Sequence, residues 1–210
     1  MSAPTLDRLA TARQPRQLRA RVRFDQVLDC AAELLREQGL SGFSIPAVAE
    51  RLGFTRASIY KFFPTPNAVL NELARRSLDA LETRLQKLAP VILADPWPDA
   101  LRAMTLEAAA FHNANPVSRL LILGGPVSDE SYRAQELTIQ RLGNLTRALF
   151  LTRGLHLPTA RPDAAMLAVD LGTTCFRVSQ FLHGRITPEY ADEAVVVMES
   201  YLRRHIKVPQ

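Results

Sequence analysis

The amino-acid sequence predicts an all-α fold, on three observations. From Phe24 onward, apolar residues recur at spacings of three and four, the period of an amphipathic helix. Glycine and proline interrupt this pattern at intervals suited to helices of ordinary length, and neither an alternating strand pattern of useful length nor a repeat is present. With 210 residues, 47% hydrophobic and 22% charged, the chain can bury a sizeable core in one or two domains.

The elements follow in chain order. Phe24, Val27, Leu28, Ala31, Leu34 and Leu35 form the stripe of a first helix, which Gly39 ends as a C′ residue. Ser44 is suited to cap a second helix of about two turns, with Pro46 in its first turn and Ile45, Val48, Ala49 and Leu52 on one face up to Gly53. Thr55 caps a third short helix through Phe62, Pro64 stops it, and Thr65 with Pro66 restarts the chain. A fourth helix carries Val69, Leu70, Leu73, Ser77, Leu81, Leu85 and Leu88 to Pro90, about 36 Å in length. Five further helices fit near residues 98–114, 117–123, 128–153, 162–184 and 188–206.

Several function classes drop out. No uncharged stretch approaches the roughly 20 apolar residues of a membrane span, and the start of the chain lacks the apolar run of a secretory signal. Cys30 and Cys175 lie far apart, so a reducing cytoplasm is the expected compartment and a tetrahedral cysteine zinc site is not expected. The four histidines show no metal spacing. GxGxxG, GxxxxGK[ST] and GxSxG are absent, so no enzyme, cofactor or catalytic residue is expected. Charge is unevenly placed. Residues 1–23 hold six arginines against Asp7, a net of +5, so the remaining residues sum to zero. A basic arm over residues 1–20, expected to be flexible, ahead of a neutral globule suits a polyanion, because arginine forks match phosphate oxygens and counterion release drives binding.

Helices two and three are too short to be stable alone and must be held by packing. Presenting a helix to DNA is one reason to keep them. The segment 44–63, SIPAVAERLGFTRASIYKFF, has a glycine between two short helices, the helix-turn-helix layout whose second helix enters the major groove. Val48, Ala49, Leu52 and Ile59 lock the pair, leaving Arg56, Ala57, Ser58 and Lys61 outward. Residues 21–81 resemble the DNA-binding domain of the TetR/AcrR family of bacterial transcriptional regulators. The resemblance rests on Ser44, Val48-Ala49, Leu52-Gly53-Phe54-Thr55, Ile59-Tyr60 and Phe62-Phe63 at matching spacing.

That resemblance implies a three-helix helix-turn-helix head joined by a long helix to a carboxy-terminal helical domain, residues 91–210, for effector binding and dimerisation. It also implies phosphate contacts from Ser44 and Thr55, base contacts from Arg56, Ala57 and Ser58, and a backbone contact from the Tyr60 hydroxyl. Lys61 lies beside them, and Arg19, Arg21 and Arg23, placed ahead of helix one, grip phosphate or enter the minor groove. The chain departs from the family twice. Phe62 stands where a histidine or tyrosine is usual, and Pro66-Asn67 replaces the usual Lys-Glu, removing one cation from the start of helix four.

In the carboxy-terminal half, only Asp170 and Arg177 are charged between Asp163 and Arg185, and Val195-Val196-Val197 makes the last helix apolar on more than one side. Such helices must bury a second face, which predicts a homodimer through the last two helices, with Gly172 allowing close approach. An effector pocket among helices five, seven and eight would draw on Met104, Phe111, His112, Tyr132, Phe150, Met166 and Phe176. It would take an apolar or aromatic small molecule, since this half has no clustered charge. The leading expectation is a ligand-responsive repressor binding double-stranded, palindromic operator DNA. The alternative is a small all-α enzyme or carrier whose basic arm binds RNA or a membrane surface.

Overall fold

The computed structural model describes residues 7–92, 94–124, 129–160 and 162–206, and among these the regular elements are all helical. A single turn, Arg8–Ala10, precedes α1 (Leu18–Gly42), α2 (Ile45–Leu52), α3 (Arg56–Tyr60) and α4 (Pro66–Leu88). Then come α5 (Trp97–Ala114), α6 (Pro116–Ser118) running on as a π-helical segment (Arg119–Leu123), α7 (Asp129–Leu151), α8 (Ala164–His183) and α9 (Pro188–Arg203). The expected helices are present to within a few residues.

Hydroxyl and carboxylate caps set the starts. Ser44, Thr55, Thr65 and Asp163 each accept a hydrogen bond from the amide three residues on, at 3.0 to 3.3 Å. Gly53 closes α2 at φ 65°, a left-handed conformation that a side chain would strain, and this sharp corner sets the angle between α2 and α3.

The first core gathers the α1 stripe from Phe24 to Leu35 with Ile45, Val48, Ile59, Phe63, Val69 and Leu73. Phe24 stacks on Phe63 with ring centroids 4.6 Å apart, and Phe62 closes edge-on to Phe24 at 5.9 Å. Phe62, the unusual residue at its position, is therefore the half-buried rim of this aromatic cluster. Further along α4, Leu81 and Leu85 enter a second core with Ile92, Ala100, Met104, Phe111 and Leu149. One helix thus belongs to both halves.

Three expectations need correction. The first helix starts at Leu18, so Arg19, Arg21 and Arg23 lie in its opening turns and do not precede it; good helix formers there carry the helix beyond its apolar stripe. On α4, Leu78 is buried where Ser77 was expected, because the stripe shifts by one residue toward the body. Gly172 faces α9 of the same chain, where an added Cβ would lie 2.5 Å from the Met198 sulfur. Its small size serves α8–α9 packing within the chain.

Phe63→Ala should lower stability by about 3 to 5 kcal/mol, because it empties a fully buried ring site between α1 and α4. Urea unfolding of the two proteins checks this.

Candidate functional site

The face formed by α3 and the start of α1 is rich in cations without acidic partners. Among the described lysines and arginines from Arg8 to Lys61, only Arg51 is ion-paired, with Glu37 at 2.8 Å. Arg19, Arg21, Arg56 and Lys61 are exposed, and the exposed Arg23 lies over the Phe54 ring at 5.6 Å. That contact ties the first turns of α1 to the corner before α3.

Capping leaves the hydroxyls of this face unequal. Ser44 and Thr55 use oxygen lone pairs to accept from Ala47 and Ser58 amides, so each keeps its O–H free to donate to an anion. Ser58 is half-buried, and its hydroxyl donates to the Thr55 carbonyl at 2.7 Å, which spends the donor inside the helix. Arg56 and Ala57 remain the exposed side chains of the first turn, while Tyr60, 42% exposed, presents its ring and hydroxyl one turn later.

The arm before α1 is seated against the protein. The expected flexible arm spans residues 1–20. Residues 1–6 lie outside the described residues, and residues 7–14 bond to the head. The Thr65 hydroxyl donates to the Leu9 carbonyl at 2.9 Å, the Asn71 amide to the Ala10 carbonyl at 3.0 Å, and the Arg13 amide to the Phe62 carbonyl at 2.7 Å. Composition alone suggests a solvated tail. The reason for the difference is that Ala10, small and apolar, is buried and anchors the segment.

In the body, α4, α5, α7, α8 and α9 enclose a cavity of about 70 Å³. Met104, His112 and Phe176 line it, as expected, with Leu81 and Leu85 of α4. Four other expected residues do not. Phe150 is buried against Trp97 at 5.4 Å, Tyr132 is exposed on α7, Phe111 packs in the core below α4, and Met166 is held against Gly143. Sequence reading missed Thr105, Gln135, Thr138, Thr146 and Thr173, the polar residues of the wall. Threonines at helical spacing on apolar faces were the available signal. Thr105, Thr138 and Thr146 donate to carbonyls one turn back, so they turn oxygen lone pairs toward the cavity.

Among the described residues, no charged side chain lines this cavity. His112 is buried, its Nδ1 lies 3.1 Å from the Ser118 hydroxyl, and burial, with a smaller effect of the Arg119 charge, lowers its pKa to about 4. It is neutral at physiological pH. Among the described residues no group of His, Cys, Asp and Glu is placed to hold a metal ion, and no helix is long and apolar enough to cross a membrane.

Between the two regions, α4 carries a chain of ion pairs. Asp25 of α1 pairs with Arg76; Glu72, only 6% exposed, receives Arg75 at 2.6 Å and Arg76 at 3.7 Å. Arg75 reaches Asp79 at 2.5 Å, and Arg141 of α7 reaches Asp79 at 2.7 Å and Glu82 at 2.5 Å.

A hydroxyl-capped pair of short helices, a cation-rich face and a separate helical body with an apolar cavity define a helix-turn-helix protein of two parts. Residues 27–73, the greater part of this head, match the family model of bacterial regulatory proteins, tetR family. The chain is similar to an HTH-type transcriptional regulator of Mycobacterium tuberculosis, 23% identical over 102 residues. That match covers 49% of this chain and 44% of the relative, so it spans less than half of the relative's length. A TetR-family regulator from Streptomyces coelicolor shares the fold at a TM-score of 0.66 with 24% identity, covering 87% of this chain and 99% of that one. FadR of Thermus thermophilus, a TetR-family transcriptional repressor solved with lauroyl-CoA, aligns at a TM-score of 0.64 with 16% identity over 89% of this chain and 96% of its own.

Because folded His112 stays neutral while the unfolded chain takes up a proton below about pH 6.5, stability is held above that pH and declines as pH falls toward 4. Between pH 7 and 5 this histidine should account for a decrease of about 2 kcal/mol. His112→Gln should lack that share of the slope in urea unfolding at the two pH values.

Proposed function

We propose that this protein is a transcriptional repressor that binds a palindromic DNA operator as a homodimer and releases it when an uncharged, largely apolar effector enters the body. The observation that carries this reading is the α3 face, with Arg56 and Ala57 exposed in the first turn of a short helix surrounded by unpaired cations. The N-terminal residues of such a helix meet base edges, while Ser44, Thr55, Tyr60, Lys61 and the α1 arginines hold phosphates. Ser58 is reassigned from base contact to holding the first turn, since its hydroxyl is spent on Thr55.

Dimerisation is supported by α8. Leu167, Leu171, Val178 and Leu182 follow one helical face and are all exposed, Phe181 beside them is 87% exposed, and Val196 of α9 is exposed as well. A contiguous apolar surface of this kind marks an interface. A second copy is the partner that twofold operator symmetry calls for.

The effector's nature is supported by the cavity. Among the described residues its wall offers hydrocarbon, threonine oxygens, the Gln135 amide and a neutral histidine, and no counter-charge for an anion. At about 70 Å³ it is smaller than the roughly 300 to 1,000 Å³ of a ligand-sized pocket. Entry therefore requires the helices to part, and Leu81 and Leu85 make α4 one of the walls that moves. A ligand can shift the equilibrium only by binding the parted state more tightly.

The test is fluorescence anisotropy with promoter fragments selected by the protein. Arg56→Ala should cost about 1 to 3 kcal/mol on the best operator and relax preference at one position of each half-site. Uniform weakening across sequences would reassign Arg56 to phosphate. In the same assay Phe181→Asp, which places a charge at the centre of the apolar patch, should yield a folded monomer by sedimentation with sharply reduced operator affinity.

A further inference from the structure

The arginines at the very start of the chain, Arg8, Arg13 and Arg16, lie outside the face assigned to DNA above, yet each is exposed and has no carboxylate partner among the described residues. What holds their segment is specific. A single turn, capped by Asp7 accepting from the Leu9 amide at 2.8 Å, places Ala10 at 3% exposure. Four hydrogen bonds then fasten it: Thr65 to the Leu9 carbonyl, Asn71 to the Ala10 carbonyl, the Arg13 amide to Phe62, and Gln14 to Glu72 at 3.1 Å.

All four anchoring partners belong to the α3–α4 turn or to the first two turns of α4. The arm is continuous in sequence with α1, but these anchors tie it to α4. Its seat also lies where α4 opens with Pro66 and Asn67 and so has no cation of its own. Arg8 adjoins the residue that Thr65 grips, and the Arg13 backbone is bonded to the turn itself. Glu72, which receives Gln14, is the buried centre of the ion-pair chain that runs through Arg75 and Asp79 to Arg141 in the body.

We propose that residues 8–16 form a second phosphate-gripping element carried by α4, with Arg8 and Arg13 supplying the cations that the first turns of α4 lack. A displacement of α4 by an effector then withdraws these arginines together with α3, so that the arm and the reading helix leave the duplex at once. This rests on the DNA-binding reading and adds to it where the arm meets the duplex and which helix controls it.

The experiment titrates the full-length protein against a fluorescein-labelled duplex of mixed sequence over a series of salt concentrations. Replacing both Arg8 and Arg13 with alanine touches no buried group, so it reports on phosphate binding without disturbing the fold. It should flatten the dependence of log K on log[salt] by about 0.9 for each phosphate that the variant no longer neutralises. Asn71→Ala, which removes a seat and no charge, should lower the slope in the same direction in the wild type. It should have no further effect in the Arg8→Ala, Arg13→Ala background, since the two cations that the seat positions are then already gone. An unchanged slope in the double arginine variant overturns the proposal. Equal effects of Asn71→Ala in both backgrounds would also overturn it, by showing that Asn71 acts apart from the arm. Melting temperatures equal to wild type establish that the variants are folded. A wild type that binds no duplex at all would instead sink the DNA-binding reading itself, and this proposal with it.

Discussion

The structure depends on one helix being soluble in two cores. Val69 and Leu73 of α4 complete the aromatic centre of the head, and Leu78, Leu81 and Leu85, turned further round the same continuous rod, complete the packing of the body. A rod of 23 residues cannot rotate one end without rotating the other. The head therefore has no orientation independent of the body. Its short α2 and α3 are held only because α1 and α4 press on them.

The same rod explains why the cavity is suited to control. Interiors are close-packed and shift between discrete arrangements, so in the proposed reading a small cavity walled by α4 would convert entry of a ligand into displacement of that helix. The ion pairs along α4 are half exposed and individually worth little. Glu72 is different: buried and shared among Arg75, Arg76 and Gln14, its carboxylate would be costly to leave unpaired, so these three groups are bound to respond together.

Much of the fold was legible because helix ends are written in local chemistry. Ser44, Thr55, Thr65 and Asp163 cap as hydroxyls and carboxylates do, and Gly53 takes the left-handed turn that only glycine takes readily. The α3 face was legible for the same reason, since the first turn of a capped helix exposes its side chains. What was not legible depended on long-range packing. Composition suggests a solvated arm, and nothing local says that Ala10 finds a buried seat 61 residues away beside Asn71. The cavity wall was missed in a related way. Large apolar residues such as Phe150 fill space and disappear into the core, whereas threonines, too small to fill it, are left lining what remains. Gly172 is a site of close approach, as its size implies, but its partner is α9 of its own chain.

The unequal pairing of charge also governs how the molecule travels. In the body, Arg84, Arg102, Arg147 and Arg203 each have a carboxylate against them, with Glu107, Asp192, Asp163 and Glu199 as partners. The excess of +5 over residues 1–23, against a remainder that sums to zero, gives the chain an electric dipole with its positive pole at the head. In the field of a polyanion such a particle is turned before it touches. Encounters arrive head first, and collisions through the apolar α8 patch are disfavoured from the outset. The fraction of head-first collisions with a polyanion is therefore set by salt concentration.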